Sequence, residues 1–270
     1  MVSENWLKSA SRAITPARID SSAPNPARVW DALNGGRDNF EADRRVARQL
    51  MAAVPVLAQA EIAAWAFWDR VVSYLAGEAR IRQFIDIGMG MRGTASSSTL
   101  AFAQAVAPAC RFVYVVHDPV VLSHARATLR SSAEGTVSYV DANPRHIESI
   151  LHGVRETIDL AEPVAVLMPD TLPFTKNPSG AITRLASAVP AGSFLAAMQT
   201  STSLAQAARR WERLFDMPVY LRDTAEVARW FRGLDLLEPG VVELHRWRPR
   251  PDDPEHPAGN LMLGAVARKR

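Results

Sequence analysis

Between Arg82 and Thr200 short apolar runs alternate with longer amphipathic ones, and no other feature restricts the fold as much. QFIDIG, RFVYVVHD, VSYVDAN, PVAVLMPD and SFLAAMQT have strand length and are rich in β-branched and aromatic side chains. TLAFAQAVAP, PVVLSHARATLRS, PRHIESILHGVRETI and GAITRLASAV, which separate them, have helical spacing. Parallel neighbours need a crossover, and a right-handed helical crossover covers one face of the sheet or the other. The order therefore predicts an α/β fold built on a doubly wound, mostly parallel sheet. Beyond Thr200, TAEVARWFRGLDLLEPGVVELHRWRP and NLMLGAVARK predict one more helix and two closing strands.

Three helices are expected ahead of the first strand. Val29, Trp30 and Leu33 form one stripe before the Gly35-Gly36 break. A second helix runs from near Phe40 to about Val54 with Asp38 or Asn39 as its cap, and a third from Pro55 to near Gly77 carries Ile62, Trp65, Ala66 and Trp68. Residues 25–80 read as a helical lid that forms one unit with the α/β core, 81–270. Residues 1–24, rich in Ser, Ala and Pro, read as a flexible or loosely docked tail.

At 270 residues and 48% apolar composition, the chain can bury the core of one large domain. A net charge of +3, with arginines scattered among acids, gives no argument for nucleic acid. No apolar run approaches the roughly 18 residues of a membrane span, so a cytoplasmic protein is expected. Cys110 is the single cysteine; it cannot form an internal disulfide and reads as a packed thiol. No histidine pair has metal-ligand spacing, and His124, His146 and His152 fall on helices as surface residues, so no metal is expected.

In a doubly wound sheet the ligand lies outside the carboxyl ends of the strands. At the first end, FIDIGMGMRG places Gly88, Gly90 and Gly93 at G-x-G-x-x-G spacing, where bare backbone can approach a ligand at Gly88, Met89 and Gly90. Asp86 stands in front. A carboxylate is a poor neighbour for a pyrophosphate and a good one for an ammonium group, which favours an amino acid joined to a nucleoside, as in S-adenosylmethionine, over a dinucleotide. The second end reads Val116-His117-Asp118; Asp118 either reaches the ribose or caps the helix opened by Pro119. At the third, Asp141-Ala142-Asn143 either recognises the adenine amino group or caps a helix before Pro144. At the fourth, Asp170 follows the strand where a reacting group would face the donor, and Asp170 and His117 are the candidate general bases.

On the acceptor side the candidates are Arg28, Trp30, Arg37, Asp38 and Asn39. Arg28 and Arg37 suit an anionic group, or pair with Asp31 and Asp38. Trp30, Trp65 and Trp68 have the spacing of packing residues, and Trp30 is also placed to line a pocket.

Taken together, PARVWDALNGGRDNFEADR, FIDIGMG, VYVVHDPVVLSHARATL and TAEVARWFRGLDLLEPGVVELHRWRP resemble an actinobacterial family of class I S-adenosylmethionine-dependent methyltransferases formerly carried as a domain of unknown function. The similarity runs from about Pro24 to the C-terminus, and its opening signature is matched by Arg28, Val29, Asp31, Gly35, Gly36, Arg37, Asp38, Asn39, Phe40 and Asp43. It implies the seven-stranded, Rossmann-like methyltransferase fold with a helical N-terminal lid over the donor. Three places depart from the family pattern. Val116 stands where the family has the ribose carboxylate, GMGMRGTASSSTLAF replaces a shorter loop with a histidine and a glutamate, and Leu172-Pro173-Phe174 stands for Leu-His-Phe. Loss of a charged hydrogen bond to the ribose costs about 1.5–3 kcal/mol.

Three functional expectations follow. The first is methyl transfer from S-adenosylmethionine to a small molecule of secondary metabolism. The second is a repurposed enzyme, its donor site lost, in which Asp86, Asp118, Asp141 and Asp170 form an acidic cleft that orients an amine-bearing intermediate for intramolecular displacement or cyclisation. The third is a non-catalytic partner protein, with a homo-oligomer or accessory role left open. Against all three stands the reading of those aspartates as helix caps alone.

Overall fold

The computed structural model describes residues 20–88, 98–169, 171–215, 218–253 and 262–270. Helix α1 (Pro26–Leu33) begins where it does because Asn25 accepts hydrogen bonds from the Ala27 and Arg28 amides and Pro26 needs no amide partner in the first turn. Helices α2 (Glu41–Ala53) and α3 (Leu57–Gly77) follow. The alternating region is β1 (Gln83–Ile87), α4 (Thr99–Val106), β2 (Arg111–Val116), α5 (Pro119–Thr128), β3 (Thr136–Asp141), α6 (Ile147–Gly153), β4 (Ala165–Met168), α7 (Pro178–Ala188) and β5 (Phe194–Thr200). The C-terminal part adds α8 (Ala205–Phe215), α9 (Thr224–Trp230), the two-residue strands β6 (Asp235–Leu236) and β7 (Val242–Glu243), and β8 (Met262–Arg268).

The eight described strands form one sheet in the order β3-β2-β1-β4-β5-β8-β6, with β7 also on β8. Strands β1 to β5 are parallel, and β8 runs antiparallel between β5 and the short closing strands. The chain starts in the middle at β1, walks outward to β3, then returns to the other side of β1 with β4. The order thus reverses between β1 and β4, and the carboxyl ends of those two strands diverge to leave a crevice. Every residue of β1 is buried, as a central parallel strand covered on both faces requires.

Two apolar layers cover the sheet. Phe84, Phe112, Tyr114, Leu167 and Ala196 meet Phe67, Trp68 and Val71 of α3, Leu100 and Ala103 of α4, and Val121 and Ala125 of α5. On the opposite face Ile85, Val113, Val166 and Leu195 meet Ile150 of α6, Ile182 and Leu185 of α7, and Val227 and Trp230 of α9. Cys110 is a buried free thiol in the first layer, pushed up in pKa by burial. A third cluster, Val29, Val46, Ala47, Leu50, Leu57 and Trp211, ties α1 and α2 to α8. Helix α3 is therefore a wall of the core, while α1 and α2 pack over the strand ends.

The GGRDNF segment is a knot, and it corrects two expectations. Asp38 and Asn39 do not cap α2; Phe40 precedes the helix in extended backbone, and the Asp43 carboxylate accepts from the Phe40 amide at 2.8 Å. Asp38 and Asn39 serve Asp31, whose Oδ2 accepts from the Asp38 amide and from Asn39 Nδ2. Gly36 is required by the same carboxylate, since a Cβ there would lie 2.0 Å from Asp31 Oδ1. Arg28 pairs with Asp43 at 3.0 Å, not with Asp31, and Asp38 contacts His124 of α5, not Arg37.

Candidate active site

Four strand ends and the lid border a partly open cavity of about 450 Å³. Gly88 follows β1; Val116, His117 and Asp118 follow β2; Asn143, Pro144 and Arg145 follow β3; Thr171 and Phe174 follow β4; Asn25, Ala27 and Trp30 of the lid close it. That volume lies within the roughly 300–1,000 Å³ typical of small-molecule and cofactor sites. Gly88 has φ +96°, and a Cβ there would meet Thr171 Cγ2 at 2.3 Å, so a side chain would jam the crevice between β1 and β4.

Asp86 lies behind this wall and is not part of the lining. It is 2% exposed, and its Oδ2 accepts a 2.7 Å hydrogen bond from the Thr99 hydroxyl at the start of α4. Thr99 Oγ1 also lies 3.1 Å from the Tyr114 hydroxyl, which accepts from the Leu100 amide at 3.0 Å. Burial, then the negative charge of Asp86, raises the Tyr114 pKa. The carboxylate therefore ties the strand on one side of the glycine turn to the helix on the other. Met89 and Gly90 lie outside the described residues, as does Asp170.

At the second strand end the structure favours the capping geometry for Asp118. Its Oδ1 accepts from the Val120 and Val121 amides, and its Oδ2 from Asn25 Nδ2 at 2.8 Å, with Arg28 Nη1 3.8 Å away. The carboxylate lines the cavity while holding α5 and the lid together. Val116 presents an isopropyl wall beside it. His117 is exposed, with Nδ1 3.6 Å from Asp141 Oδ1. Ala142 is buried behind Asn143, which takes the place in the lining, its Oδ1 accepting from the Arg145 amide. The described aspartates do not converge into an acidic cleft; of Asp86, Asp118 and Asp141, only Asp118 reaches the cavity wall.

Of the acceptor-side candidates, the structure brings only Trp30 to the cavity. Arg28 is buried, held by Asp43 and by the Asp20 and Ala23 carbonyls, and stacked over Phe40. Arg37 and Asp38 are exposed, and Asn39 is spent on Asp31 and the Gly36 carbonyl. Sequence reasoning missed Asn25, whose cap signal before Pro26 was legible, and Arg222, for which no motif exists. Arg222 is buried and donates to the Leu172, Thr175 and Lys176 carbonyls, clamping the turn that carries Thr171 and Phe174. Its pKa is lowered by that burial.

The sequence profile described as S-adenosyl methyltransferase matches residues 12–270. The chain belongs to that family. A crystal structure of a DUF574 family protein from Streptomyces avermitilis is 35% identical, covers 94% of this chain and 100% of its own, and superposes with a TM-score of 0.88. A candidate methyltransferase from Thermobifida fusca is 34% identical over 96% of this chain and 99% of its own, with a TM-score of 0.84. The plantazolicin methyltransferase crystallised with a triazolic desmethyl analogue and S-adenosylhomocysteine shares the fold alone, at 9% identity and a TM-score of 0.51 over 90% of this chain and 96% of its own. No functionally curated protein is detectably similar. The family expected from the signature is thus the family found, and the sheet is that of the class I methyltransferases. S-adenosylmethionine is the cofactor that this family uses. Among the described residues no helix is long and apolar enough to cross a membrane.

Proposed function

We propose that the protein transfers a methyl group from S-adenosylmethionine to a small molecule, and that the cavity at the ends of β1 to β4 holds the donor. The observation that carries this reading is the coincidence of the crevice between β1 and β4 with a lid-covered cavity of about 450 Å³, in a chain of this family. The lining fits an aminoacyl nucleoside. It offers bare backbone at Gly88, amide and imidazole groups at Asn143 and His117, and apolar walls at Val116 and Trp30, and among the described lining residues Arg145 is a lone cation where a pyrophosphate demands a cluster. Gly88, His117 and Asn143 would hold the donor, with Asp86 and Thr99 fixing the turn from behind.

Held by Gly88, His117 and Asn143, S-adenosylmethionine would supply an electrophilic methyl carbon on a sulfonium whose C–S electron pair would stay on sulfur as a neutral thioether. The protein's part is chiefly positioning: the lid excludes water, and the Arg222 clamp fixes the turn that faces Trp30. His117 supplies the imidazole of the described lining, and neither a cap nor a lid contact occupies it. Where the acceptor loses a proton, His117 takes it up at a ring nitrogen, with Asp141 beside it.

Calorimetric titration with S-adenosylhomocysteine tests the donor assignment. Micromolar binding, abolished by Gly88→Val in a protein that still folds, is the expected outcome. Silence at millimolar ligand contradicts it.

A further inference from the structure

A second, smaller cavity of about 70 Å³ abuts the first and shares Trp30 and Phe174 with it. We propose that it takes the edge of an aromatic ring of the methyl acceptor, and that the acceptor is a neutral phenol-like compound. The assignment rests on the donor site proposed above, because the two shared side chains are the only walls that both cavities have in common.

Two properties of the lining fix the class. The first is charge: among the described lining residues, Leu50, Leu57, Leu204, Ala208 and Met198 included, none has an ionisable side chain. Its amide, Gln199, is saturated, donating to the Thr200 and Tyr220 carbonyls and accepting from Arg222. An ionised substituent would enter without a counter-charge, at a desolvation cost that a neutral group avoids. The second is shape. Trp211 packs 5.8 Å from Trp30 and 5.8 Å from Phe174, at interplanar angles of 32° and 29°, so flat aromatic faces border the space. A planar ring stacks on such faces better than a puckered one.

Size limits the ring. An apolar cavity of about 150 Å³ takes up benzene, and this one is about half as large. It encloses part of one ring, and the substituted edge lies between Trp30 and Phe174, facing the donor cavity.

The test is titration of p-cresol, cyclohexanol and benzoate into the protein saturated with S-adenosylhomocysteine. p-Cresol is expected to bind at least tenfold more tightly than benzoate and more tightly than cyclohexanol. Ala208→Phe, which fills the cavity from α8, is expected to weaken p-cresol at least tenfold and to leave S-adenosylhomocysteine affinity within twofold. Leu204→Phe provides the same test should Ala208→Phe fail to fold by circular dichroism. Equal affinity for benzoate, p-cresol binding unchanged in the filled variant, or no p-cresol binding overturns the proposal. If S-adenosylhomocysteine itself does not bind, the donor assignment fails separately. Titration of the ligand-free protein then decides the cavity: p-cresol binding that the filled variant loses supports it, and no binding overturns it.

Discussion

At Asp43 one fully buried carboxylate accepts from the Asn25 amide, the Phe40 amide and Arg28 Nε. Arg28 in turn touches the Asp20 and Ala23 carbonyls and approaches Asp118, so a single ion pair links the entry to α1, the start of α2 and the cap of α5. Asp43→Asn leaves the buried Arg28 charge with only the more distant Asp118 carboxylate, 3.8 Å away, and breaking a buried pair typically costs about 3–5 kcal/mol. Urea denaturation is expected to show a loss near the lower figure, with Arg28→Ala comparable; a loss below about 1 kcal/mol would place the pair among the weak surface bridges. The residues of this knot were legible as a pattern, since Arg28, Asp31, Gly36, Asn39 and Asp43 all belong to the quoted signature. Their purpose was not. A run of charges and amides looks the same whether it meets a ligand or its own chain, and only the distances distinguish them. Asp86 teaches the same lesson: its position beside the glycine turn was read correctly, but its carboxylate secures Thr99 and does not line the cavity.

The junction of β1, β2 and α4 is held by the Asp86, Thr99 and Tyr114 contacts, and it gives the element a pH signature. The buried phenol has its pKa raised above the ordinary 10.0 by burial and by Asp86. In the unfolded chain Tyr114 releases its proton near the ordinary value; in the folded chain it keeps it. Its contribution to stability is therefore complete below about pH 10 and is lost as the pH rises through the higher folded value. Unfolding midpoints measured from about pH 9 to 11 are expected to fall more steeply in the native protein than in Tyr114→Phe. That variant should be less stable by about 1–2 kcal/mol at neutral pH because the Leu100 amide loses its acceptor. Parallel slopes would contradict the buried-phenol account. At this scale most of the architecture was readable, because strand and helix periods differ and the expected segments match β1 to β5 and their crossovers. Helix α8 was not anticipated, although Leu204, Ala207, Ala208, Trp211, Leu214 and Phe215 carry a helical stripe. The closing strands were undercounted because β6 and β7 span two residues each, too few for alternation to show.

In the whole molecule, a site on strand ends is covered by elements far away in the chain. The topology alone placed the proposed donor cavity where the strand order reverses, so the β1 to β4 ends could be named from the sequence. On the opposite side Trp30 was legible as a pocket residue and Phe174 as part of a departure from the family pattern, but Asn25 and Trp211 were not, because lid packing brings them there and no local pattern joins them. The account's central claim is that one ligand occupies the space between the strand ends and α1. Amide hydrogen exchange with and without S-adenosylhomocysteine reads that directly. The account predicts slower exchange in residues 25–33, 115–121 and 143–145, with the closing strands unchanged. Absence of protection at saturating ligand, or protection confined to α9 and the closing strands, would contradict it.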